Sequence, residues 1–228
     1  TERYAKRMQR IGIPKEHIFV TGNMKFDAVS DIHVDVNTLA TLVRRYALDP
    51  KGKYLVGAST HPKEERFLLE VYCALKEAHP DLKLILVPRH IERVNDIVKE
   101  VLSFSLRCAV ADHVPLLPEY QGRMCKDVSD VFVMNTIGEL KSICALATLV
   151  FVGGSIIKHG GQNPLEAIAL KKPVITGPNV FNFPGIYDVL VPLSAVKMVT
   201  NVSECTAVCH TFLTDERLVK SITDRAYA

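Results

Sequence analysis

Residues Phe151–Phe183 read FVGGSIIKHGGQNPLEAIALKKPVITGPNVFNF. A short apolar strand, Leu149–Val152, runs into Gly153-Gly154-Ser155. A second glycine pair, Gly160-Gly161, leads into Gln162-Asn163-Pro164-Leu165-Glu166, which opens a helix predicted over Asn163–Leu170. Pro164 suits the first helical turn, where its missing N–H costs little, and Asn163 stands where an N-cap belongs. Another apolar strand, Pro173–Thr176, follows the helix. Strand, glycine turn, helix and strand in this order make a crossover unit whose strands lie parallel. The glycines allow close approach of backbone to an anion, and the helix start presents free N–H groups. Glu166, one turn in, can accept hydrogen bonds from sugar hydroxyls. These parts suit a nucleotide with its phosphate.

The same alternation extends in both directions. Upstream, Glu2–Arg10 reads as a helix, His17–Thr21 as a strand and Asn37–Ala47 as a helix with Leu39, Leu42, Val43 and Tyr46 at helical spacing. Lys53–Ala58 is a predicted strand, Pro62–Ala78 a helix and Leu82–Val87 a strand. Ile91–Val101 is a helix, Phe104–Cys108 a strand and Ala109–Asp127 a loop with two prolines and a glycine. Asp130–Met134 is a strand and Ile137–Leu146 a helix. Beyond the opening stretch come a helix at Pro184–Val191, a last strand at Ala195–Val199, and helices at Val202–Leu213 and Asp215–Ala226. Such a chain predicts an α/β fold with a doubly wound parallel sheet, Rossmann-like in kind. Ligands bind such sheets beyond the carboxyl ends of the strands. Four loops are placed there: Ser59-Thr60-His61, Pro88-Arg89-His90, Asn135 to Glu139, and Gly153-Gly154-Ser155.

Composition narrows the function. The chain has 228 residues, 48% hydrophobic and 23% charged, with a net charge of +3. The charge is too mild for a nucleic-acid binder, and the absence of Trp disfavours base stacking on single strands. The six cysteines, at 73, 108, 125, 144, 205 and 209, form no C-x-x-C pair and read as thiols rather than disulfides. Cys73 and Cys144 are expected to be buried. Cys205, Cys209 and His210 share a helical turn, but without a second ligand cluster they read as a core position rather than a metal site. No apolar run reaches the ~18 residues of a membrane span. The chain opens with Thr in mid-helix, as a piece of a longer protein would.

Among single residues, Arg89 follows a predicted strand directly and can clasp a phosphate through two parallel hydrogen bonds. A cation before a helix start is unfavourable as mere structure. Asn163 and Glu166 share a helix face. Thr136-Ile137-Gly138-Glu139 opens a helix and offers N–H groups to a base edge or phosphate. Its Thr/Glu spacing also fits an ordinary capping box. Ser59, Thr60, His61, His90 and His159 bring further donors into the same loops. No Walker phosphate loop, dinucleotide fingerprint, paired-Asp metal cluster or nucleophile elbow occurs. One clear arginine without metal acids suits a donor carrying a single phosphate.

Taken in order, Gly22 to Asp27, Gly57-Ala58-Ser59-Thr60-His61 with Glu64-Glu65, Val87-Pro88-Arg89-His90, Thr136 to Leu140, Phe151 to Ser155, Gly160 to Glu166, Gly177-Pro178 and Asn182-Phe183 form a set. With it the chain resembles the C-terminal half of the 3-deoxy-D-manno-octulosonic acid (Kdo) transferases of lipopolysaccharide synthesis. The resemblance covers nearly the whole chain. It implies the two-domain GT-B fold, with 22–228 as the donor domain and 1–21 as the tail of an absent N-terminal domain. It implies transfer of Kdo from CMP-Kdo to a lipid A precursor, without metal or cofactor, at the cytoplasmic face of the bacterial inner membrane. Pro88 and Arg89 should then meet the phosphate. Ile137, Gly138 and Glu139 should line the pocket, and Asn163, Pro164, Leu165 and Glu166 should hold phosphate and ribose. Ser59, Thr60, His61, His90, Gly153, Gly154, Ser155 and Gln162 are additional candidates. The acceptor site, the catalytic carboxylate base and the membrane anchor are implied for the N-terminal domain, which leaves this chain inactive by itself. Many relatives have His where this chain has Gln162, and Gln carries no proton at neutral pH. Two other classes remain: a UDP-sugar-using GT-B glycosyltransferase or epimerase, and a non-enzymatic ligand-binding α/β module.

Overall fold

The structure is a computed structural model that describes residues 2–21, 34–110 and 129–227. Among these residues seven strands form one sheet: β1 Lys53–Thr60, β2 Leu82–Pro88, β3 Cys108–Val110, β4 Val131–Val133, β5 Leu149–Val152, β6 Val174–Thr176 and β7 Lys197–Met198. The order is β3-β4-β2-β1-β5-β6-β7, and every pairing is parallel. Parallel strands need both faces covered, which is why their sequences are continuously apolar. Alternate residues serve alternate faces. Leu55, Leu84, Leu86, Val131 and Phe151 pack under α3 (Glu64–Lys76), α4 (Val94–Ser103), α8 (Val202–Thr214) and Ile222 of α9 (Glu216–Tyr227). Val56, Ile85, Phe132, Val150 and Val174 pack under α2 (Val36–Tyr46), α5 (Leu140–Leu146), α6 (Leu165–Ala169) and α7 (Pro184–Leu190). The remaining helix, α1, is Glu2–Arg10. The doubly wound sheet predicted above is therefore the fold observed.

The chain builds outward from β1 on one side through β2, then crosses to the other side with β5. This reversal sets the turns after β1, β2, β4 and β5 along one edge.

Several boundaries differ from the expectation. His17–Thr21 is no strand. Lys15–His17 is a single 3-10 turn, and Phe19 is 84% exposed, so the segment pairs with no sheet. The strand placed at Phe104–Cys108 starts only at Cys108, because Phe104 and Ser105 donate back to Val101 and Leu102 and close α4. β3 also takes Ala109 and Val110 from the predicted loop. The rest of that loop, like the Gly22–Asp27 motif, lies outside the described residues. α5 starts at Leu140 rather than Ile137, since Gly138 sits at φ +87°. Cys73 is exposed, contrary to expectation, whereas Cys108, Cys144, Cys205 and Cys209 are buried, and all five are free thiols. No group of His, Cys, Asp and Glu among the described residues is arranged to hold a metal. No helix among them is long and apolar enough to cross a membrane.

Candidate functional site

The turns after β1 and β5 touch. Gly153 N–H donates to Ala58 C=O at 2.8 Å, and a Cβ on Gly153 would fall 2.5 Å from the Ser59 carbonyl oxygen. Only glycine permits that approach. Ser59 itself adopts φ +53°. Arg89 N–H donates to Thr60 C=O at 3.0 Å, tying the end of β2 to the same turn. Glu64, at the start of α3, is fully buried. Its carboxylate accepts from the backbone N–H groups of His61 (3.0 Å), Gly154 (2.6 Å), Ser155 (2.9 Å) and Ile156 (3.0 Å). The Ser155 hydroxyl donates to Val152 C=O at 2.6 Å and accepts from Gly177 N–H at 2.7 Å. The N–H groups of this glycine turn, expected to face a ligand, are therefore taken within the fold, that of Gly153 by Ala58 and those of Gly154 and Ser155 by Glu64. Gly153, Gly154 and Ser155 join strands instead of lining the cavity described next.

That cavity, of about 480 Å³, opens beyond the carboxyl ends of β1, β2 and β4. Ser59 enters from the β1 turn, and Pro88, Arg89 and Ile91 from the end of β2. Thr136, Ile137, Gly138 and Lys141 enter from the β4–α5 loop and α5, and Glu166 from α6. The volume lies in the range of small-ligand pockets, ~300–1,000 Å³. Among the described residues the Arg89 guanidinium makes no hydrogen bond and no ion pair, and it is exposed. Burial pushes the Glu166 carboxyl above its ordinary pKa, and the Lys141 charge pulls the other way. Ile137 is 84% exposed at the rim, and a Cβ at Gly138 would meet no heavy atom within 4 Å. Two cations and one half-buried carboxyl thus surround open space.

Not all expected residues meet there. Glu139 lies outside that lining. Its carboxylate accepts from the Tyr46 hydroxyl at 2.8 Å, from the Thr136 hydroxyl and from the Arg45 guanidinium. It lines a separate cavity of about 270 Å³ with Asp35, Thr38 and Arg45 of the α2 region. Burial alone would raise the Glu139 pKa, but the bonds from Thr136 and Tyr46 and the Arg45 charge hold it below the usual value. Burial in turn raises the Tyr46 phenol to about 12. Pro164 and Leu165 are buried, Leu165 in the core. Asn163 Oδ1 accepts from Leu165 N–H at 3.2 Å, and Pro164 already has helical angles, so Asn163 closes the start of α6 as read from the sequence.

His61 is only 4% exposed. Its ring lies 3.9 Å from that of His159 and 5.8 Å from that of His90, centroid to centroid. Its Nε2 is 3.0 Å from Gln162 Nε2; with the amide donating, the imidazole is neutral and carries its proton on Nδ1. Burial, then the neighbouring His159, His90, Arg93 and Arg89, lower its pKa from 6.5 to about 4. The unfolded chain therefore takes up this proton first. Stability is intact above pH 6.5 and is lost as the pH falls toward the folded value, by about 3 kcal/mol in all. Urea unfolding across this range should show that loss, and His61→Gln should flatten the profile relative to the parent.

Lys141 was not singled out from the sequence, and Glu64 entered only as part of a motif, with no role given to it. Lys141 had a legible signal, since it follows Ile137 by one helical turn. Glu64 showed only as a first-turn acid, and its partners at 154 to 156 are remote in the chain.

No family model matches the chain. Among curated proteins it is similar to the 3-deoxy-D-manno-octulosonic acid transferase of Haemophilus influenzae, 34% identical over 201 residues, covering 87% of this chain and 44% of that protein. The transferase of the same name from Rickettsia felis is 32% identical over 182 residues, covering 79% and 36%. The chain spans less than half the length of these relatives. Among solved structures, the C-terminal CMP-Kdo binding domain of WaaA from Acinetobacter baumannii matches with a TM-score of 0.71 and 25% identity over 90% of this chain and 97% of that domain. UDP-GlcNAc 2-epimerase from Neisseria meningitidis, bound to UDP-GlcNAc, shares the fold at a TM-score of 0.61 and 15% identity. With a Rossmann-like sheet of the GT-B kind and this sequence match, the chain belongs to the 3-deoxy-D-manno-octulosonic acid transferase family, over the C-terminal part of its members.

Proposed function

We propose that this domain holds the cytidine monophosphate part of CMP-Kdo. In this reading it is the donor half of a Kdo transferase that glycosylates a lipid A precursor in lipopolysaccharide synthesis at the inner membrane. The observation that carries the reading is that Arg89 and Lys141, neither engaged in an ion pair among the described residues, line one cavity together with Gly138 and Glu166. Arg89 would take the phosphate through two parallel hydrogen bonds. Glu166 would accept from ribose hydroxyls. Ile137 would cover one face of the base, and the backbone beside Gly138 would meet its edge. During transfer the bond from sugar to phosphate breaks and negative charge grows on the departing CMP. A guanidinium bound to that phosphate stabilises the growing charge and so lowers the barrier. The acceptor and the catalytic base fall to the other domain of the full-length protein.

Calorimetry with CMP and with UDP tests the reading. CMP should bind about tenfold or more tighter than UDP, since two cations suit one phosphate better than two. The absence of binding at millimolar CMP would overturn it. Tighter binding of UDP would move the domain to the UDP-sugar enzymes that share its fold.

A further inference from the structure

A group of rings stands beside the nucleotide cavity and outside its lining. His61 lies buried between His159 and His90, with the ring centroids 3.9 and 5.8 Å away. The three come from separate segments: the β1 turn, the residue after Arg89, and the loop between the two glycine pairs. Because Arg89 lines the cavity and His90 follows it directly, cluster and cavity share a wall.

The acids around the cluster are engaged. The Glu64 carboxylate is filled by four backbone N–H groups. Glu65, on α3, is clasped by Arg93 through two bonds of 2.9 and 3.0 Å. Glu92 reaches His90 Nδ1 only at 3.4 Å, with both side chains more than half exposed. What faces the three imidazoles is therefore mostly cationic or donating: Arg89, Arg93 and the Gln162 amide. A positive charge on one of these rings is opposed by Arg89 and Arg93, and a bound anion offsets it. A metal is not the answer, since no described group of His, Cys, Asp and Glu has the arrangement to hold one.

The chemistry of the donor supplies an anion at the right place. In a nucleotide-linked 2-keto sugar acid, the carboxylate and the phosphate oxygen are carried by the same anomeric carbon. A phosphate on Arg89 therefore brings the carboxylate to the same end of the cavity, which the ring cluster borders. We propose that His159 and His90, backed by His61, form a subsite for the carboxylate of an acidic sugar joined to the nucleotide. This subsite rests on the nucleotide reading given above. It selects sugar acids over neutral sugars, which would leave the ring donors unanswered.

The test is calorimetry on this domain with three ligands: CMP, a non-hydrolysable phosphonate analogue of CMP-Kdo, and the same analogue with its carboxylate turned to a carboxamide. The carboxylate analogue should bind about tenfold tighter than the carboxamide. His159→Ala should abolish that ratio and leave CMP affinity within about twofold, and His159→Lys should restore the ratio. Equal binding of the two analogues, with CMP still bound, would overturn the subsite alone. So would a His159→Ala loss as large for CMP as for the carboxylate analogue. Failure to bind CMP would instead overturn the nucleotide reading, and the subsite with it.

Discussion

Replacing Arg89 with alanine is expected to weaken CMP binding by about 30- to 150-fold, which corresponds to ~2–3 kcal/mol for hydrogen bonds to a charged group. The size follows from the company the side chain keeps. Its guanidinium has no acid to satisfy among the described residues, so its hydrogen-bonding capacity is free for a ligand. The same fact separates binding from folding. The bond that ties Arg89 into the fold is its backbone N–H to Thr60 C=O, which alanine retains. Urea unfolding of Arg89→Ala should therefore stay within ~0.5 kcal/mol of the parent. Arg89→Lys keeps the charge but not the two-pronged fork, and should recover only part of the affinity. If Arg89→Ala binds CMP as the parent does, the phosphate sits elsewhere, and Lys141 of the same cavity becomes its holder.

How much of this site could be read in advance depends on whether its causes were local. Arg89 and Glu166 were legible because each stands at the end of a strand or the start of the helix beyond it, and topology alone carries those positions to one edge. The sheet was legible because a strand buried on both faces must be apolar throughout, as in Leu82–Pro88. Glu139 was not. Gly138 at φ +87° interrupts the helix predicted from Ile137, and the carboxylate turns toward Arg45 and Tyr46, some ninety residues earlier in the chain. His17–Thr21 misled for a related reason. Its apolar residues fit a strand, but Phe19 stays 84% exposed, and strand formation needs an edge to pair with as well as a pattern. The three histidines were each placed in a site loop. That His61 stacks on His159 depends on how the loop from Gly154 to Gly160 folds back, which spacing does not encode.

The other large effect is on stability, at Glu64. A buried carboxylate costs several kcal/mol in lost hydration, and here four backbone N–H groups offset that cost. Glu64→Ala removes the acceptor and leaves those donors without a protein partner. Each unsatisfied buried N–H costs about 1–3 kcal/mol, though neighbouring losses do not add in full, so the expected destabilisation is about 3–5 kcal/mol. Glu64→Gln discriminates this account from simple loss of volume. Each carboxylate oxygen receives two N–H groups: His61 and Gly154 on Oε2, Ser155 and Ile156 on Oε1. Whichever way the amide turns, its NH₂ confronts one pair with donors, so glutamine should be nearly as harmful as alanine despite filling the same space. Urea unfolding gives the size, and hydrogen exchange gives the place, with the Gly154, Ser155 and Ile156 amides losing protection in both variants. A Glu64→Gln chain as stable as the parent would mean that these N–H groups do not depend on Glu64 for an acceptor. The glycine turn after β5 would then again be open to a ligand phosphate, as its sequence first suggested.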